Sequence, residues 1–191
     1  MTRIIGGEAG GRRIKTPTGE ATRPTTDRVR EALFSAVDAA FGSLHGLRFL
    51  DVYAGSGAIG LEARSRGAGV VTLVEHDRRT AALIRENIKT LGMSGVDVVV
   101  APASRALGQP PRAPYDVVFL DPPYAMEGAD VESDLQALVD LGWLAHEAVV
   151  VVERSTRSDG PAWPPGLVAD RSRRYGETTL WYGHATHQTQ R

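Results

Sequence analysis

From Leu47 to Val152 the sequence alternates short apolar runs with amphipathic stretches, and that alternation leaves few folds open. The runs Leu47–Tyr53, Val70–Glu75, Val96–Val100, Tyr115–Leu120 and Ala148–Val152 are largely apolar, as strands buried on both faces require. Helical spacing fills the gaps at Ala58–Arg66, Arg78–Leu91 and Val131–Leu141. Strands that each hand on to a helix predict a parallel sheet covered on both sides. Near the C-terminus the pattern changes. Val168–Tyr175 and Thr178–Tyr182 flank a Gly176-Glu177 turn, the signal of an antiparallel hairpin. The expectation is an α/β fold with a mostly parallel seven-stranded sheet and an antiparallel C-terminal hairpin.

Ahead of the sheet, Arg3–Ile5 and Arg12–Lys15 are two strand-like pieces joined through paired glycines, which predicts a short N-terminal β-hairpin extension. Arg23-Pro24-Thr25-Thr26-Asp27 then reads as a helix start, with Thr25 or Thr26 as cap. The helix is expected to run to about Ala40, with Val29, Leu33, Ala36, Val37 and Ala40 on its apolar face and Arg28 and Arg30 on its surface. Residues 1–30 hold seven basic groups against three acids, while the whole chain has a net charge of −1. A basic arm on an acidic body suggests a polyanion partner. Arg3, Arg12, Arg13, Lys15, Arg23, Arg28 and Arg30 are therefore the candidate nucleic-acid contacts.

With 191 residues there is room for one well-packed domain, read as 23–183, preceded by the arm 1–22 and followed by a flexible tail 184–191. No apolar run approaches the roughly 20 residues needed to cross a bilayer. The chain has no cysteine, so disulfides and thiolate metal sites are excluded, and its five histidines are scattered. A monomeric cytoplasmic protein with no metal and no membrane partner is expected.

Two motifs carry chemistry. Asp51–Gly60 (DVYAGSGAIG) leaves a strand and opens a helix, the context in which a glycine-rich loop brings backbone close to a ligand. Glu75 ends the next strand, where a carboxylate can bind both hydroxyls of a ribose. Asp51, Tyr53, Ala54, Gly55, Ser56, Gly57, Gly60, Glu75, His76 and Asp121 form the candidate cofactor site. The chain has no Tyr-x-x-x-Lys pair and little length for a second substrate domain, which favours S-adenosylmethionine (AdoMet) over a dinucleotide, with Asp51 near its ammonium group. The second motif, Asp121-Pro122-Pro123-Tyr124, ends the fourth strand. In an open α/β sheet, ligands lie beyond the carboxyl ends of strands, so both motifs belong on one edge. The Asp121 side chain and the Pro122 carbonyl can accept the two hydrogens of an exocyclic nucleobase amine, and Tyr124 can stack on the base. Asp121, Pro122 and Tyr124 are the candidate catalytic residues.

Four segments in this order, Arg23–Phe34, Asp51–Ala63, Asp121–Tyr124 and Arg174–Thr178, resemble the RsmD family of bacterial AdoMet-dependent enzymes. The likeness runs from about Arg3 to Tyr182. It implies a Rossmann-like class I methyltransferase that modifies N2 of one guanine, 966, in a hairpin loop of 16S ribosomal RNA, on an assembled or late-assembly 30S subunit. It also places Arg23, Pro24 and Thr25 near the cofactor's amino-acid end or the target base. Related methyltransferases usually place an Asp or Asn after the third strand to read the adenine amine. Here the segment Val100–Arg105 has none, so either the Ala103 backbone serves or adenine is held more loosely. Two other functions remain open on the residues alone: a DNA adenine or cytosine amino-methyltransferase, and a non-catalytic RNA-binding protein of ribosome assembly.

Overall fold

The computed structural model describes residues 1–18 and 26–186. A two-stranded antiparallel hairpin comes first, β1 (Thr2–Arg3) against β2 (Arg13–Ile14). Helix α1 (Asp27–Phe41) starts where Thr26 accepts the Val29 N–H and stops at Gly42, whose φ of 81° a side chain would resist. The alternating units follow: β3 (Arg48–Val52), α2 (Ala58–Ser65), β4 (Val70–Glu75) and α3 (Arg78–Leu91). Next come β5 (Val96–Val100), α4 (Ala103–Leu107), β6 (Tyr115–Leu120) and α5 (Gly128–Asp140). The chain closes with β7 (Leu144–Ser155), β8 (Leu167–Tyr175) and β9 (Thr178–Ala185).

The seven strands lie in the order β5-β4-β3-β6-β7-β9-β8. β3 to β7 run parallel, and β9 and β8 are antiparallel. The order reverses between β3 and β6, which opens a crevice at their C-terminal ends. Alternation along each strand feeds two cores. Phe49, Val117, Phe119 and Val151 point toward α1, α2 and α3. Leu50, Val52, Val118, Leu120 and Val152 point toward α4 and α5. Both faces are covered, which is why these strands read as apolar runs.

The arm is docked: Ile4, Ala9 and Ile14 are buried in the same core as Val29 and Leu33. The structure corrects the sequence reading in three places. Arg30, expected on the surface of α1, is fully buried. It donates to the Arg3 carbonyl at 2.9 Å and to Asp27 at 2.8 Å, beside the equally buried Glu62 at 4.0 Å. A guanidinium that sits among three oxygen partners tolerates burial that a lone charge would not. Ala40 is exposed, and Phe34 takes the apolar place given to it. His184 is paired in β9 and bonds to Asp170 at 2.7 Å, so the ordered chain passes the expected start of the tail.

Candidate functional site

The loop after β3 is built by its neighbours. Tyr53 turns out of the strand at φ 66°, and the Ala54 N–H reaches the Val74 carbonyl on β4 at 2.9 Å. Glu75, at the end of β4, accepts the Gly55 N–H on one carboxylate oxygen at 2.8 Å and the Asp77 N–H on the other at 3.0 Å. The exposed His76 lies 3.2 Å from the second oxygen. A Cβ built on Gly55 meets nothing within 4 Å, so the outer side of the loop is open for a ligand. Gly57 at φ 83° caps α2 without a side chain. Asn87 on α3 closes the back of the loop, donating to the Ser56 carbonyl at 3.4 Å while gripping the Lys15 backbone at 2.9 Å on both sides.

Gly60, expected to approach a cofactor, has a different task. A Cβ there would lie 2.2 Å from a Leu73 methyl, and its N–H is taken by the Asp51 carboxylate at 2.9 Å. It lets α2 lie directly on β4. Asp51 is buried under the loop, and burial pushes its carboxyl up to about 8, with Glu75 and Glu153 adding repulsion against the relief from Gly60. Ala103 opens α4 and is buried. Arg23, Pro24 and Thr25 lie outside the described residues.

The Asp121-Pro122-Pro123-Tyr124 segment leaves β6 beside this loop. The Asp121 N–H points to the Val52 carbonyl at 3.5 Å, which ties it to the end of β3. Pro122 is buried and Asp121 half-buried, whereas the Tyr124 ring is 63% exposed at the rim. The chain beyond is held by Arg154, which donates to the Met126 carbonyl at 2.8 Å. Tyr53 donates to Asp134 on α5 and so joins the glycine loop to the helix that follows the tetrapeptide. Burial first, then the partner, raises the Tyr53 hydroxyl, and burial raises Asp134.

Two features escaped the sequence reading. One is Glu153, which lies in β7 one residue past the Leu120–Val152 pairing and is buried on the same side of the sheet as Asp51 and Asp121. Asp121 is raised well above an ordinary carboxylate, by burial first, then by Glu153 and Asp51, with Arg154 opposing. The rule that found Asp121, an acid after an apolar strand, also fits Glu153 after its four valines. The other is Asn87, for which a helical asparagine leaves no signal in sequence.

The expected nucleic-acid residues divide. Arg12 donates to the carbonyls of Leu91 and Thr90 at the end of α3, and Lys15 pairs with Glu86. Both hold the arm down. Arg30 is interior. Arg3, Arg13 and Arg28 remain exposed, with Arg28 lying 5.7 Å from the Tyr175 ring centre.

This sheet order, with a glycine loop and an acid-proline segment at its switch point, defines a Rossmann-like methyltransferase. The family profile described as conserved hypothetical protein 95 matches residues 2–184. The ribosomal RNA small subunit methyltransferase D of Escherichia coli K12 is 39% identical over 180 residues, covering 92% of this chain and 85% of its own. Its Haemophilus influenzae namesake is 38% identical over 166 residues, 85% of this chain and 82% of its own. The solved structure of Escherichia coli yhhF superposes with a TM-score of 0.85 at 36% identity, covering 98% of this chain and 99% of that one. The chain belongs to the RsmD family.

Proposed function

We propose that the chain transfers a methyl group from AdoMet to the exocyclic N2 of a guanine in small-subunit ribosomal RNA, at the position the family resemblance implies. The observation that carries this is the Asp121–Tyr124 segment, tied to the end of β3 and next to the glycine loop at the switch point. Two points support a cationic nucleoside cofactor. Each Glu75 oxygen accepts one protein N–H, and a carboxylate oxygen has capacity for a second, which suits ribose hydroxyls. Asp51, Asp121 and Glu153 crowd three carboxyl groups where Arg154 is the opposing cation, and an ammonium or sulfonium group brought among them favours their ionised forms.

AdoMet supplies an electrophilic methyl and departs neutral. The work left to the chain is geometric. Asp121 and the Pro122 carbonyl accept the amine hydrogens and aim the nitrogen lone pair. The rigid proline pair keeps both acceptors in place, and Tyr124 at the rim offers a stacking face. Asp121 takes up the proton that N2 releases. A nearby cation favours its ionised, accepting form. Positioning of this kind accounts for most of the acceleration.

The test is incubation with labelled AdoMet and small subunits lacking the modification, followed by nucleoside analysis. N2-methylguanine is expected. N6-methyladenine, or no transfer at all, defeats the reading.

A further inference from the structure

The edge strand β8 has a use that neither the fold nor the proposed chemistry demands. It carries Arg171, Arg173 and Arg174 in four residues, all exposed, on a chain whose net charge is −1. Arg171 and Arg173 line one wall of a groove of about 310 Å³, with Tyr175 and Tyr182 on the same side and the small residues of α1 opposite. The guanidiniums are organised. Arg171 lies 4.8 Å from the Tyr182 ring centre, and Arg28, from α1, lies 5.7 Å from that of Tyr175. Stacking on a ring holds a guanidinium in place while leaving its N–H edges outward. Among the described residues none of these arginines has a carboxylate within 4.0 Å. The one acid on the strand, Asp170, is held by His184.

The topology places this groove relative to the site. β7 is parallel to β6, β9 antiparallel to β7, and β8 antiparallel to β9. Tyr175 pairs with Thr178, and Thr178 with Ser155, so the Arg28–Tyr175 end of the groove opens on the edge that carries Asp121. Three strand spacings separate β8 from β6, about 14 Å. A stacked strand rises about 3.4 Å per nucleotide, so the groove mouth is about four nucleotides from a base at Asp121.

We infer that the groove between β8 and α1 is the track for the RNA backbone flanking the target, with Arg28, Arg171 and Arg173 meeting phosphates. This rests on the RNA methyltransferase reading and names the surface that reading lacks, since Arg12 and Lys15 of the arm and Arg30 of α1 are engaged within the protein. Edge strands are often charged only to block strand addition. That role needs charges along the open edge. Here Arg171 turns onto the Tyr182 ring, and Arg173 joins it in lining the groove.

The test compares wild type, Arg171→Gln/Arg173→Gln and Arg171→Lys/Arg173→Lys, with unmodified small subunits as substrate at several salt concentrations. Melting temperature and calorimetric AdoMet affinity are read alongside. For the glutamine pair, KM should rise about tenfold and the log–log salt slope should fall by about 1.4 to 1.8, the loss of two phosphate contacts. Its kcat and AdoMet affinity should stay at wild-type values, and the lysine pair should regain the slope. An unchanged KM and slope in the glutamine pair overturns the inference while leaving the methyltransferase reading intact. So does a wild-type dimer that the glutamine pair breaks without a change in slope. Wild-type protein that methylates no RNA ends both.

Discussion

Asp121 and Asp51 stand on adjacent strands, with Asp51 opposite Phe119, and they point to the same side of the sheet. Their closeness means that neither carboxyl is ordinary, and the two should fail differently when altered. Asp121→Ala removes an acceptor that touches the reacting amine, so turnover should drop roughly 100-fold or more. AdoMet affinity should fall far less than turnover, because the Glu75 and loop contacts are untouched. Methyl transfer by single turnover and cofactor binding by calorimetry separate the two effects. Near-normal turnover would remove Asp121 from the chemistry. At this scale the strand-end acids were legible, because a carboxylate after an apolar run has few structural reasons to be there. Arg30 was not, since its partner Glu62 is distant in sequence and only packing brings them together.

The elements are held by close approaches more than by loops. α2 rests on β4 at Gly60, and the arm rests on α2 and α3 through buried isoleucines and one carboxylate. Glu62 accepts the N–H groups of Ile5 at 2.8 Å and Gly6 at 2.9 Å while also bonding Arg66. Ser65 and Asn87 continue the seam. The arm is thus a third layer over the helices, and the prediction at this scale concerns stability. Ile14→Ala should cost about 2–5 kcal/mol, the range for truncating a fully buried aliphatic side chain. Denaturant unfolding measures it, and a change under 1 kcal/mol would mean the arm is not part of the cooperative core. Helix and strand positions were readable because apolar spacing repeats locally. α3 runs from Arg78 to Leu91 as the spacing predicts. α4, five residues long, is too short for a period to show.

For the molecule as a whole, the cluster of acids on three strands links folding to pH. The Asp51 carboxyl is raised from 3.8 to about 8, so between those values the native state holds a proton that the unfolded chain has released. Stability then falls as pH rises through this window, by up to about 1.4 kcal/mol per pH unit between pH 6 and 8, and levels off above 8. Asp121 acts in the same direction. Melting temperatures of the protein without cofactor should decline from pH 6 to 8, and Asp51→Asn should flatten the decline, its amide oxygen keeping the Gly60 bond. A cationic cofactor lowers these carboxyls, so its binding should release protons below pH 8 and tighten as pH rises to 8. Calorimetry in buffers of different ionisation heat reads this release, and a slope unchanged in Asp51→Asn would show that Asp51 is not its source.

The sequence alone determined the alternation, the parallel sheet and the two strand-end motifs. Local periodicity and residue chemistry are complete within a few residues, and the rules of strand connection do the rest. Only the tertiary structure decided which charges face water. It buried Arg30, spent Arg12 and Lys15 on the arm, joined Glu153 to the two aspartates and turned Arg171 and Arg173 of β8 toward α1. Each of these depends on partners tens of residues apart, and a side chain's electrostatic role is set by what surrounds it in space.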